Sequence, residues 1–134
     1  MEAQTIFSLA RWLTCGVWIG AGIYKAFHYR QTIGEMTHNG IPFAQLLLIP
    51  VLVLEMFGSL FLIANTYVWA VAAAWIAFLI LATPFYHFGW YTKDRTFVFP
   101  QMVQTTKNLS MMGGLLCLIL LDPSTPAYLV SNIK

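Results

Sequence analysis

Apolar residues along this chain neither alternate nor keep to one helical face; they come in long blocks. Blocks at about residues 5–27, 43–64, 67–87 and 102–121 each suit a helix crossing the ~30 Å hydrocarbon layer of a bilayer. The second and third are separated only by Asn65-Thr66-Tyr67, which predicts a tight antiparallel hairpin. The fourth ends at "DPSTP", where Pro123 and Pro126 cannot continue a helix because proline lacks the amide hydrogen. Helices of similar length with short connections predict an all-α fold. The expected architecture is an up-down-up-down four-helix bundle, one transmembrane domain over residues 1–134.

Two connections are longer. In "HYRQTIGEMTHNGIP" (28–42), Ile33 and Met36 fall at helical spacing, Asn39-Gly40 supplies a stop, and Pro42 begins the next span. A short helix lying in the membrane interface is expected there. "FGWYTKDRTFVFP" (88–100) mixes aromatic and charged residues, with Trp90, Tyr91, Phe97 and Phe99 as headgroup-level anchors. Lys25, Arg30, Lys93, Arg95 and Lys107 lie on or near these two connections. The positive-inside rule therefore puts both in the cytoplasm and both termini outside.

Composition sharpens this picture. Only 9% of the 134 residues are charged, 59% are hydrophobic, and the mean hydropathy is +0.70. Soluble domains carry roughly a quarter charged residues, so a lipid bilayer is the expected surrounding. A net charge of +2, thinly scattered, excludes a nucleic-acid partner. Cys15 and Cys117 sit in different apolar blocks without CxxC spacing and are expected to be small core residues. The start "MEAQTIFSLARW" lacks a basic leader, so the first block is expected to remain as a span. His28, His38 and His87 have no metal-ligand spacing.

Within "LIPVLVLEMFGSLFLIA" (48–64) stands Glu55, the one Asp, Glu, Lys or Arg between Phe43 and His87. An ionisable residue inside a membrane faces the bundle interior and finds a partner. At about 1.5 Å per residue, Glu55 lies about 18 Å from the loop end of its helix, and Arg11 about 21 Å from the same end of the first. Arg11 is thus the predicted partner. Arg11, Cys15, Trp18, Gly22 and Lys25 share one face of the first helix, which turns Arg11 and Lys25 inward. Gly16 and Gly20 lie on roughly the opposite face, where a GxxxG pair permits close approach of another subunit. Lys107 and Asn108 come about 7–9 Å into the fourth helix, near the level of Lys25 and His87. Pro84 should kink the third helix just before His87. A polar cavity is expected, opening towards the basic loops with Arg11 and Glu55 at its floor. Such a buried pair is read either as a ligand site or as a latch fixing helix register.

These residues also resemble a family. Arg11, "GAGIYKAF", "MTHNGIPF", "VLEMFGSLFLI" and "KNLSMMGGLLCLIL" together are similar to the DoxX-like membrane proteins, over about residues 9–121. That group includes the small subunit of thiosulfate:quinone oxidoreductase. The resemblance implies a four-helix membrane bundle whose polar positions fall on Arg11, Lys25, Glu55, Lys107 and Asn108. It also implies a quinone as cofactor. The chain itself carries no haem, flavin, iron–sulfur or metal motif.

Two functions follow as expectations. One is a membrane subunit of a redox system, in which Arg11 and Glu55 act on a quinone oxygen while Lys25, His87, Lys107 and Asn108 bind the ligand. The other is a non-catalytic bundle that assembles a larger membrane complex. Either implies protein partner subunits or a homo-oligomer. A transporter fits less well, since no inverted repeat is visible.

Overall fold

A backbone amide or carbonyl left unpaired in hydrocarbon is costly, so apolar blocks of this length must satisfy their own backbone by coiling into helices. The computed structural model describes the backbone of residues 3–87 and 95–131, and the side chains of 4–85, 102–129 and 131. Its helices are α1 (Ala3–Phe27), α2 (Tyr29–His38), α3 (Ala44–Ile63), α4 (Val68–His87), α5 (Arg95–Leu121) and the single-turn α6 (Ala127–Val130). The fold is an all-α four-helix bundle built from α1, α3, α4 and α5.

The long helices alternate in direction, as their cross-contacts show. Arg11 meets Leu62 while Cys15 meets Ser59, so α1 and α3 are antiparallel. Trp69 meets Asp122 while Asn108 meets Thr83, so α4 and α5 are too. Across the middle, Trp18 of α1 stacks on Trp75 of α4 with ring centroids 4.5 Å apart, and Phe78 meets Trp18 edge-on. Gly58 makes room for this core: a Cβ there would lie 3.1 Å from Val71 and 3.2 Å from the Trp75 ring.

Outside this core the helices are apolar almost all round. α3 exposes Leu46, Leu47, Ile49, Val53, Phe57, Leu60 and Phe61, a surface suited to a lipid bilayer. Among the described residues, three helices are long and apolar enough to cross a membrane, over Gln4–Phe27, Ala44–Ile63 and Val68–Phe85. Helix α5 is as long but more polar in its first half, from Gln101 to Asn108. It begins at Arg95, seven residues before the predicted span. Trp90 and Tyr91 lie outside the described residues, as do the side chains of Phe97 and Phe99. Helix α4 is continuous through Pro84.

Helix α2 is the predicted short helix. Met36 packs with Ala44 and Leu48, flanked by Tyr29 and Ile33, so α2 lies alongside the start of α3. Gly40, at φ 77°, turns the chain after it.

The α3–α4 hairpin turns within residues 64–67. Asn65 and Tyr67 both take left-handed φ, 56° and 51°, which costs about 1–2 kcal/mol for a non-glycine residue. Two charges from the other helices bracket it. Arg11 of α1 donates to the Leu62 carbonyl at 2.7 Å, where the last carbonyls of α3 make that end negative. Asp122, just past α5, accepts the Trp69 amide at 3.0 Å, where the first amides of α4 make that end positive. Ser124 holds the Asp122 carboxylate through its own amide and hydroxyl.

Loss of this cap should be measurable. Asp122→Ala is expected to cost about 1–2 kcal/mol, the usual range for a helix cap, read as a lower thermal unfolding midpoint in detergent. An unchanged midpoint would show that the hairpin does not need it.

Candidate functional site: a lysine–glutamate pair buried between α1 and α3

Glu55 lies on the inner face of α3 and is only 1% exposed. Its Oε1 accepts a hydrogen bond from the Lys25 ammonium in a direct ion pair. Two local features bring these groups together. Side chains on a helix lean towards its N-terminus, so Lys25 reaches back along α1 to the level of Gly22. Gly22 has no side chain there, and a Cβ at that position would lie 3.4 Å from the Glu55 Cβ and 2.8 Å from the Met56 sulfur. A Cβ alone would displace only the flexible end of Met56, while a larger side chain would crowd Glu55 itself.

The two ends of the pair differ in access. The Lys25 side chain is 25% exposed, so the pair can be reached from the lysine side. The second carboxylate oxygen, Oε2, is buried with no hydrogen-bond partner among the described residues. The same holds for the indole N–H of Trp18, one turn before Gly22 on the same face of α1. Trp18 stacks on Trp75, whose own N–H donates to the Leu54 carbonyl next to Glu55, at 3.3 Å. An unmet acceptor and an unmet donor thus occupy one layer of the core.

Arg11 is not the partner of Glu55. It lies opposite Leu62, seven positions further along α3, or about 10 Å at the helical rise. Its other amino group donates to Ser8 at 3.3 Å, and its guanidinium stands over the Phe7 ring. The predicted register failed because it assumed that α3 starts level with the end of α1. Instead α2 packs beside the first turns of α3, so α3 begins beyond the end of α1. Arg11 does face inward as expected, together with Cys15, Trp18, Gly22 and Lys25. Cys15 Sγ donates to the Ser59 carbonyl at 3.4 Å, and Ser59 Oγ donates to the Glu55 carbonyl at 2.6 Å.

Among the described residues, Lys107 and Asn108 make no bond to the pair. Asn108 is buried, and its amide donates to Thr83 of α4 at 3.0 Å. Lys107 is exposed and looks into a groove between α1 and α5, together with Ser110 and Gly114. A second groove lies beside α2 and the start of α3; neither groove is lined by Glu55 or Lys25. His87 ends α4, but its side chain is outside the described residues. Cys15 is a core residue as predicted, whereas Cys117 is exposed. Sequence reasoning missed Thr83 and Asp122. Thr83 lies at the buried spacing of Trp75 and Leu79, a signal that was available.

Apolar helices around a buried ion pair define an integral membrane helix bundle. The family model for DoxX matches residues 6–88, more than half of the chain, and the chain belongs to the DoxX family. The matched stretch holds Arg11, Lys25 and Glu55, whereas Lys107 and Asn108 lie beyond it. No curated protein and no solved structure matches the chain.

Removing one member of a buried pair leaves the other uncompensated, so Lys25→Met is expected to destabilise the bundle by about 3–5 kcal/mol. Adding Glu55→Leu should restore most of that loss, whereas combining Glu55→Leu with Arg11→Met should give an additive result. Unfolding of the three single and two double variants in detergent, beside the wild type, reads both cycles. Strong coupling of Glu55 to Arg11 instead of Lys25 would contradict the observed register.

Proposed function

We propose that this protein is a membrane subunit of a redox system that binds a quinone, or a similar lipid-soluble carbonyl compound, at the Lys25–Glu55 pair. The observation that carries this reading is the unsatisfied Glu55 Oε2, buried beside a lysine that is partly exposed. A quinone carbonyl accepts hydrogen bonds, and its reduced hydroxyl donates one. The Trp18 N–H and Glu55 Oε2 supply the matching donor and acceptor. Reduction of a quinone takes up two protons, and a carboxylate held by an ammonium is suited to passing them. The resemblance to the small subunit of thiosulfate:quinone oxidoreductase points the same way.

Roles then divide by position. Glu55 and Lys25 bind and exchange protons. Arg11, expected to share the chemistry, instead ties α1 to the end of α3, and Asn108 positions α5 on α4. His87 remains a ligand-binding candidate near the end that carries α2, whereas Lys107 faces the separate α1–α5 groove. The chain has no flavin, haem or iron–sulfur motif, so electrons come from a partner subunit or a small donor. Gly16 and Gly20, with open space over both, offer a flat strip for that partner or a second copy. By the positive-inside rule the end carrying α2 faces the cytoplasm.

A second reading, an accessory bundle in which the pair is only a latch, is favoured by one observation. Arg11, Cys15 and Lys25 all bond to α3, so the pair is one of three ties along a single seam.

Purification in mild detergent with mass spectrometry of the extracted lipids separates the two. The redox reading expects about one quinone per chain in the wild type, lost in Glu55→Gln while the bundle stays folded. No quinone in the wild type, with Glu55→Gln impairing assembly, would leave the latch.

A further inference from the structure

The seam between α1 and α5 is the loosest in the ring of four helices, and it opens as a groove of about 340 Å³. Its deeper wall is mainly apolar, formed by Leu13, Val17 and Trp18 of α1 and by Met111 and Leu115 of α5. Gly114 keeps it open, since nothing lies within 4 Å of where its side chain would begin. The polar groups are gathered towards the start of α5. Lys107 and Ser110 are exposed there, and neither makes a hydrogen bond or ion pair among the described residues. Thr14, the other hydroxyl on the wall, already donates to the Ala10 carbonyl at 2.8 Å. No carboxylate lines the groove among the described residues.

Direction matters as much as content. Lys107 precedes Leu115 by about two turns, and a lysine on a helix leans further towards the N-terminus. Its ammonium therefore reaches for the bundle end that carries α2, while the apolar wall runs inward to the middle of α1. A cation at the membrane surface above an apolar channel matches an amphiphile with an anionic head.

We infer that the α1–α5 groove binds one anionic phospholipid of the surrounding bilayer. Its phosphate sits on Lys107 and Ser110, and one acyl chain lies over Gly114 between Leu13, Val17, Met111 and Leu115. Trp18 also borders this groove, but among the described residues no bond links Lys107 or Ser110 to the Lys25–Glu55 pair, so the lipid needs no ligand there.

The test is native mass spectrometry of the full chain in detergent, titrated with phosphatidylglycerol or with phosphatidylcholine of the same acyl chains. The wild type is expected to retain one phosphatidylglycerol at about tenfold lower lipid concentration than phosphatidylcholine. Lys107→Gln, at an exposed and unpaired position, should abolish that preference. Gly114→Leu should weaken binding of both lipids, and Ala77→Leu on the outer face of α4 should change neither. Equal retention of the two lipids by the wild type overturns the proposal. So does a preference that survives Lys107→Gln, or one that Ala77→Leu also removes.

Discussion

The Lys25–Glu55 ion pair is the constraint around which the bundle is arranged. A carboxylate inside a membrane helix needs a counter-charge at its own depth, and α1 offers two cations, Arg11 and Lys25. Which one is used fixes how far α3 slides along α1. The choice of Lys25 lets Cys15 meet Ser59 and Arg11 meet Leu62, with Gly22 thinned to admit Glu55. Relative to a well-packed apolar pair, such an ion pair contributes little stability. Its effect is to make neighbouring registers costly, because any slip strands a charge in the core.

The other polar groups obey the same rule at smaller scale. Arg11 and Asp122 come from helices that do not form the α3–α4 hairpin, yet each lies at the end of α3 or α4 whose dipole it opposes. Together they hold a turn in which Asn65 and Tyr67 are strained. Asn108 and Thr83 do for α4 and α5 what Cys15 and Ser59 do for α1 and α3. Polar contacts thus run down the inside of the bundle, and apolar side chains cover the outside. Among the described residues Glu55 Oε2, the Trp18 N–H and the Arg11 Nε–H interrupt that satisfaction, and the first two share the layer in which the candidate site is placed.

Much of this was legible in the sequence. Apolar block length located α1, α3 and α4, and Ile33 and Met36 with Asn39-Gly40 marked α2. Helical periodicity put Arg11, Cys15, Trp18, Gly22 and Lys25 on one inward face. Periodicity, however, fixes rotation and not translation. The offset between α1 and α3 depends on α2 packing against Ala44 and Leu48, a contact between segments that no single-helix pattern encodes. Depth counted from an assumed common start therefore paired Glu55 with the wrong cation. The outward placement of Lys107 has a similar origin. Its row with Ser110, Gly114 and Cys117 was visible, but which row of α5 meets α4 depends on the contacts of Asn108 with Thr83 and of Asp122 with Trp69.

The most direct test of the account is solid-state NMR of the full chain in lipid bilayers, measuring dipolar recoupling between lysine ¹⁵Nζ and glutamate ¹³Cδ. The account predicts one strong lysine–glutamate coupling that disappears in Lys25→Gln and survives Arg11→Gln. A glutamate coupled to arginine guanidinium nitrogen instead, or a lysine–glutamate coupling unaffected by Lys25→Gln, would contradict it.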